Sequence, residues 1–343
     1  MKSLTVFIVA LILCFSVTGR TKYPHWIEFD SPSVPENFDH SDRHDRIFVS
    51  SNGQGPLWTL ETDGTSSRFG EDIPIGAPQT FGVTVDGERD RVLVVVSTVP
   101  ESPTASHYLV SYKLGGRDVG AATVVDVSSL VPQSLPSDFG TAISDSISDD
   151  EGNIYIVNAG STAGVWKIDI NGELSIWSRS DLYAPVQAES IQTLFPSGLG
   201  CIDIERPPFA TYFIVAKYGS LGEAKLFRVD LNNPNEPKEV QLNGQISVPD
   251  GLALDNRGDL WIAGWTNYYR LRSDDDWNSA TVIETIDIPS EFKLCIAVSN
   301  VEGVIYGLCN GYFSPVTART AHNLNLFFIS PNIFFISSLF PSL

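Results

Sequence analysis

The stretch VPDGLALDNRGDLWIA, residues Val248 to Ala263, decides the fold. Apolar and polar residues alternate on both sides of a short polar turn. Leu252 to Leu254 and Leu260 to Ala263 are therefore predicted to be antiparallel strands, closed at Asn256-Arg257-Gly258. Asp250 stands just before the first strand, next to a glycine that lets the backbone turn sharply. A carboxylate there either binds a metal ion or caps a turn, and the stretch alone leaves both open.

The same pattern recurs along the chain. Ser144 to Val157 matches the stretch without gaps, with Ser144 aligned to Asp250, and a third copy begins at Cys295. Three looser copies precede the strands predicted at 47–50, 92–96 and 212–216. The equivalent positions in the six copies are Glu36, Phe81, Ser144, Ser197, Asp250 and Cys295.

These repeats predict an all-β fold, a six-bladed β-propeller. Intervals of roughly 45 to 63 residues, filled by short strands, are typical of propeller blades. The many Val and Ile residues and the single Met also suit strands better than helices. The propeller is assigned to residues 20–313. A strand at His25 to Phe29 is predicted to close the ring by joining the last blade.

The N-terminus predicts secretion. Lys2, the apolar run Leu4 to Val17 and the small residue Gly19 form the pattern of a signal peptide over residues 1–19. The mature chain is therefore expected outside the cell, in an oxidising compartment. Pairing around Val301-Glu302-Gly303 would place Cys295 nearly opposite Cys309, so these two are predicted to form a cross-strand disulfide. Cys201 is expected to remain a buried thiol.

Residues 314–343 form an apolar tail. Leu324 to Ile336 carries no charge and is interrupted by Pro331. Three interpretations stay open: a removable signal for a lipid anchor, a membrane anchor weakened by the proline, or a reading frame that continues past the true end.

The charge balance narrows the partners. A formal net charge of -19 argues against nucleic acid and anionic membranes, because both attract clusters of Lys and Arg. It is compatible with cation binding and equally with a solvated surface. The expected partner is a small-molecule substrate or ligand. Contact with a membrane is expected only if the C-terminal tail is an anchor. The sequence leaves the oligomeric state open.

The six equivalent positions are expected to ring one mouth of the central channel. Glu36 and Asp250 would bring carboxylates there, and Asp145 stands beside Ser144. Carboxylates gathered in one place repel one another unless a cation lies between them, and Ca²⁺ takes several oxygen ligands. The alternative is that each carboxylate caps its own turn.

The motifs resemble those of the gluconolactonase-like, calcium-dependent phosphotriesterase superfamily, which includes paraoxonases and strictosidine synthase-like proteins. The resemblance covers roughly Trp26 to Tyr312. It rests on Pro35-Glu36, on Ser144-Asp145 followed by Gly152 to Tyr155, and on Pro249 to Leu252 followed by Gly258 to Trp261.

This resemblance implies a calcium ion at the hub, with the ligands carried over by position. They are Glu36, Ser144, Ser197 and Asp250, with Asp145 in support and Asp250 as the catalytic base. The family usually has Asn where this chain has Ser144 and Ser197, and a hydroxyl is a shorter ligand than an amide. The sequence therefore predicts a secreted calcium-dependent hydrolase of a small lactone or ester. The alternative is a non-catalytic propeller that binds a ligand or a protein partner.

Overall fold

The computed structural model describes residues 28–30, 35–51, 57–61, 65–76, 78–98, 106–130, 143–160, 163–184, 201–218, 224–288, 295–309 and 323–329. Within these ranges the chain forms six β-sheets, two short 3-10 turns and no α-helix. The sheets are the blades of a propeller, so the predicted six-bladed, all-β fold is confirmed.

Each blade is built around an antiparallel meander whose first strand lies innermost. Blade five adds an outer strand, Gln241–Asn243, which precedes the meander in sequence and pairs parallel with Ser279–Asp287. Blade one comprises β2 (Pro35–Ser41), β3 (Arg46–Ser51), β4 (Leu57–Leu60) and β5 (Ser66–Phe69). Blade two comprises β6 (Pro78–Asp86), β7 (Arg91–Thr98), β8 (His107–Lys113) and β9 (Ala122–Asp126). Blade three comprises β10 (Ile143–Ser148), β11 (Ile154–Asn158), β12 (Gly164–Ile168) and β13 (Leu174–Ser178). Blade four comprises β14 (Cys201–Glu205), β15 (Tyr212–Tyr218), β16 (Ala224–Asp230) and β17 (Lys238–Glu239). Blade five comprises β18 (Gln241–Asn243), β19 (Gly251–Leu254), β20 (Leu260–Gly264), β21 (Asn267–Arg272) and β22 (Ser279–Asp287). Blade six comprises β23 (Cys295–Val301), β24 (Val304–Cys309), β25 (Asn323–Ile329) and β1 (Glu28–Asp30).

The first hairpin of a blade is held by the aspartate that recurs in the repeats. In blade five, Asp255 accepts the backbone N–H of Arg257 at 2.8 Å and of Asp259 at 3.1 Å, and the indole N–H of Trp261 at 3.2 Å. Gly258 completes the turn with φ +80. The motif aspartate, glycine and aromatic residue thus form one local unit, which is why the pattern is readable in sequence.

The ring closes through the two ends of the described chain. β1 pairs with β25, and β25 pairs with β24, so the sixth blade contains an N-terminal strand. The propeller continues past residue 313, and the boundary predicted there is too early. Any separate role for the tail has to begin after Ile329. The predicted signal peptide at 1–19 lies outside the described residues.

The core lies between neighbouring blades. Phe48 of blade one packs edge-on against Phe69 at 5.0 Å, and both join a cluster with Val94 and Tyr112 of blade two. Similar buried clusters join the other neighbours. Because this apolar packing holds the blades together around the axis, the inner strands are left free to line a channel. In the described part of the chain, no helix has the length and apolarity that a membrane span requires.

Candidate functional site

The ring of equivalent positions coincides with a β-bulge. The first strands of blades one, two, three, four and six lose register by one residue against their partners near their N-terminal ends. In blade five, Asp250 and Gly251 both pair with Ala263. A bulge places two residues opposite one and re-aims side chains. The first bulge residues are Glu36, Phe81, Ser144, Cys201, Asp250 and Cys295.

In blade four this register corrects the sequence alignment. Cys201 pairs with Lys217 and Asp203 with Ala216, just as Cys295 pairs with Cys309 and Ala297 with Leu308 in blade six. Cys201 is therefore the blade-four counterpart of Asp250. Ser197, the predicted ligand, precedes this position by four residues along the chain and lies outside the described residues.

The second bulge position carries glycine where the blades approach most closely. A Cβ on Gly82 would lie 2.3 Å from Asp145 Oδ1 and 2.5 Å from its Cα. A Cβ on Gly251 would lie 2.6 Å from the Cα of Ala297. The glycine of the Pro-Asp-Gly motif thus makes room for blade six, and Gly82 makes room for Asp145.

Asp250 is half-buried, and one of its oxygens has a defined partner. The indole N–H of Trp265 donates to Asp250 Oδ2 at 2.8 Å. Burial raises the pKa of Asp250 to about 7; the Trp265 bond lowers the pKa and the nearby Asp145 raises it. The carboxyl group therefore titrates near neutral pH, in the range suited to a general base.

Glu36 and Asp250 come together at Tyr218, the last residue of β15. Tyr218 is fully buried. Burial raises the pKa of its hydroxyl well above the usual value, and the carboxylates of Asp250 and Glu36 raise the pKa further. Two carboxylates far apart in sequence therefore both act electrostatically on one buried hydroxyl.

The Tyr218 hydroxyl has no hydrogen-bond partner among the described residues. A buried polar atom without a partner marks a place that the protein alone does not satisfy. In the described ranges, no group of three or more His, Cys, Asp or Glu side chains is arranged to hold a metal ion. A Ca²⁺ ion at this place would have two carboxylates, Glu36 and Asp250, and would need hydroxyl oxygens and water for the rest of its ligands.

A second acidic region lies deeper in the channel. A cavity of about 620 Å³ extends from the bulges toward the hairpin turns. Its acidic lining residues next to the bulges are Asp39, Asp145, Asp203 and Glu205. Asp145, predicted as a supporting residue, faces this cavity and accepts from Asn37 Nδ2 at 3.3 Å. Sequence reasoning missed the other three.

These carboxylates connect neighbouring blades by hydrogen bonds. Asp39 accepts the backbone N–H of Val85 in blade two at 2.7 Å, and Asp203 accepts that of Leu252 in blade five. An inner strand has one edge without a strand partner in its own sheet, and its N–H groups need acceptors. The alternation in Cys201-Ile202-Asp203-Ile204-Glu205 was the available signal, since it places two acids on one side of an apolar strand.

Their protonation reflects crowding. Asp145 and Asp203 share a hydrogen bond, and burial together with the Asp145 charge raises the pKa of Asp203 well above its usual value. The two carboxyl groups thus share a proton as a pair. Burial also raises the pKa of Glu205 to about 8. The channel therefore carries fewer negative charges at neutral pH than its composition suggests.

The other predicted cysteines are close to the mouth. Cys295 and Cys309 are cross-strand partners joined by a disulfide, with Cα atoms 3.8 Å apart. This is the pairing that the sequence indicated. The Tyr268 hydroxyl lies 3.2 Å from Cys309 Sγ. The bonded pair fixes the bulge position of blade six beside Asp250's blade.

No protein-family profile matches the sequence, and no curated protein matches it. The fold does match solved structures. The major allergen Mala s 1 of Malassezia sympodialis aligns with a TM-score of 0.70 at 16% identity, covering 92% of this chain and 99% of that one. The soluble aldose sugar dehydrogenase of Escherichia coli gives 0.59 at 12% identity, covering 89% and 99%. A luciferin-regenerating enzyme gives 0.57 at 10% identity, covering 88% and 92%.

At these identities the likeness establishes the fold and leaves the activity open. The similar structures span almost the whole described propeller, and several of them are enzymes by name. The chain is therefore a β-propeller in architecture.

Proposed function

We propose that the chain is a secreted hydrolase of a small lactone or ester. The proposal uses the mouth lined by Glu36, Ser144 and Asp250 and includes a weakly held calcium ion there. The observation that carries it is the convergence of Glu36 and Asp250 on the buried Tyr218 hydroxyl. The sequence resemblance to the gluconolactonase-like superfamily supports it. The signal-like N-terminus supports secretion.

The residues divide the work as follows. Bound calcium would supply polarisation of the substrate carbonyl. Glu36 and one oxygen of Asp250 would hold the ion, while Trp265 keeps the other Asp250 oxygen occupied. A remaining lone pair of the Asp250 oxygen that faces the ion would accept a proton from the attacking water as the new C–O bond forms. The C–O bond to the leaving group would then break as the leaving oxygen takes that proton from Asp250.

The test is a lactone and aryl-ester screen at increasing calcium concentration. Asp250→Asn is expected to lower the rate by about 10²-fold or more, because it removes the base. Asp169→Asn is the matched control, since Asp169 lies in an exposed hairpin turn of blade three. The rate should also rise through pH 7 as Asp250 loses its proton. Equal rates for Asp250→Asn and wild type would remove Asp250 from the chemistry.

A second candidate is a propeller that binds a small ligand without turning it over. The channel cavity of about 620 Å³ supports it, because that space is sufficient for a small molecule. The serine at Ser144 and the structural use of Asp39 and Asp203 also favour it, since both reduce the oxygens left for a metal ion. Ligands that raise the melting temperature without being consumed would favour this candidate over the hydrolase.

A further inference from the structure

Trp265 holds an unusual position at the mouth. It sits in the turn between β20 and β21 with φ +50. This left-handed conformation is uncommon for a residue with a bulky side chain. Such strain persists only where surrounding contacts over-determine it, and it clusters at ligand sites. The contacts around Trp265 therefore show what the conformation serves.

Two groups of contacts hold Trp265. Its backbone bridges to Cys295 of blade six, with Trp265 N to Cys295 O at 3.1 Å and Cys295 N to Trp265 O at 3.0 Å. Cys295 is in turn bonded to Cys309. On the other side, the indole ring packs edge-on against Tyr218 with centroids 6.0 Å apart. The residue is thus clamped between blades four and six.

The clamped indole makes a polar contact with Asp250. Trp265 Nε1 donates to Asp250 Oδ2 at 2.8 Å. A hydrogen bond from a fixed donor restricts the rotation of a carboxylate about its Cβ–Cγ bond. The same arrangement orients carboxylate ligands in metal sites, where the outer partner tunes the affinity of the ion.

We propose that Trp265 is the positioning residue of Asp250, and that the Cys295–Cys309 disulfide sets the place of Trp265 from the neighbouring blade. The inference rests on the proposed function in one respect, the role of Asp250 as a cation ligand. The linkage makes cation affinity at the mouth depend on a covalent bond in blade six, although neither cysteine touches the ion.

Terbium and calcium are the probes. Tb³⁺ accepts the oxygen ligands of Ca²⁺, and the affinity for each ion is measured by isothermal titration calorimetry, which does not depend on an indole near the site. Trp265→Phe keeps an aromatic ring and removes the donor, and is expected to weaken Tb³⁺ and Ca²⁺ binding about 10- to 100-fold. The matched control is Trp261→Phe. Trp261 also donates to an aspartate, Asp255 Oδ2 at 3.2 Å, in the same blade but at the hairpin end. It should retain wild-type affinity.

A second readout does not need the ion. The indole N–H resonance of Trp265, assigned by its loss in Trp265→Phe, should move when Asp250 is changed to Asn. It should also move in the double variant Cys295→Ala, Cys309→Ala, which should weaken cation binding in the same direction as Trp265→Phe. A melting curve by circular dichroism shows that each variant is folded.

The outcomes test the positioning role of Trp265 and the disulfide linkage separately. Wild-type affinity in Trp265→Phe, or an indole resonance unmoved by Asp250→Asn, overturns the positioning role. A resonance unmoved in the cysteine double variant overturns the disulfide linkage. If the wild-type protein binds neither ion, the calcium part of the proposed function fails, and the resonance measurements still decide whether Trp265 and the disulfide control Asp250.

Discussion

Replacing Tyr218 by Phe should stabilise this protein. The side chain is 0% exposed, and its hydroxyl has no hydrogen-bond partner among the described residues. In the unfolded chain the same hydroxyl binds water. Folding therefore removes hydrogen bonds without replacing them.

The expected gain in the free energy of unfolding follows from the penalty for a buried unsatisfied group, about 1–3 kcal/mol. Part of this is offset because the ring loses an atom from a packed site. A gain of about 1 kcal/mol is expected, equivalent to a melting temperature about 2 °C higher for a domain of this size. The assay is urea unfolding with a chelator present, so that no cation can satisfy the hydroxyl.

Tyr183→Phe is the matched comparison. Tyr183 is also 0% exposed, but its hydroxyl lies 3.0 Å from Ser178 Oγ. Removing that hydroxyl breaks a buried hydrogen bond and should lower stability by about 1 kcal/mol. The two variants thus delete the same atom but are expected to change the free energy of unfolding in opposite directions. If Tyr218→Phe were as destabilising as Tyr183→Phe, the Tyr218 hydroxyl would have a partner, and the orphan-donor argument would be wrong.

Three further changes follow from the channel and the ring closure. Glu205→Gln should be more stable than wild type at pH 8 and little changed at pH 4. The raised pKa of Glu205, about 8 against an ordinary 4.5, makes wild-type stability fall between those values as pH rises; urea midpoints at both pH values check it. Gly82→Ala should destabilise by about 1–3 kcal/mol through its clash with Asp145, whereas Gly87→Ala, with open space around its Cβ, should be neutral in the same melting assay. A chain ending at residue 313 lacks β25 and should lose cooperative melting, which a chain ending at residue 329 should retain.

The fold was predictable because the residues that specify each blade lie close together in the sequence. Asp255, Gly258 and Trp261 lie within one hairpin and hold one another by short-range hydrogen bonds. The unit can be recognised wherever it recurs, as at Asp149, Gly152 and Tyr155. Counting such units counts blades, without knowledge of how the blades pack. The closing strand followed from the same logic, since an open ring leaves two exposed edges.

The site was only partly predictable because its geometry depends on bulges and on contacts between blades. The alignment chose Ser197, since nothing in a sequence marks the residue at which a strand loses register; the pairing of Asp203 with Ala216 assigns Cys201 instead. Trp265 escaped notice because its role depends on Cys295, which belongs to another blade. Glu36 and Asp250 were found because they stand at fixed offsets from recurring hairpins.

The carboxylates of the channel fall into two kinds, and the difference bears on function. Asp39 and Asp203 accept backbone N–H groups of the adjacent blade, so their oxygens are occupied by structure. Asp250 has one oxygen bound to an indole and shares its surroundings with Glu36 and a hydroxyl that lacks a partner in the described chain. Acidity alone therefore does not identify a cation site in a propeller. An acid that is a candidate cation ligand differs from a structural one in whether its oxygens already accept hydrogen bonds from the neighbouring strand. By that criterion the proposed hydrolysis is assigned to Glu36 and Asp250 at the bulges.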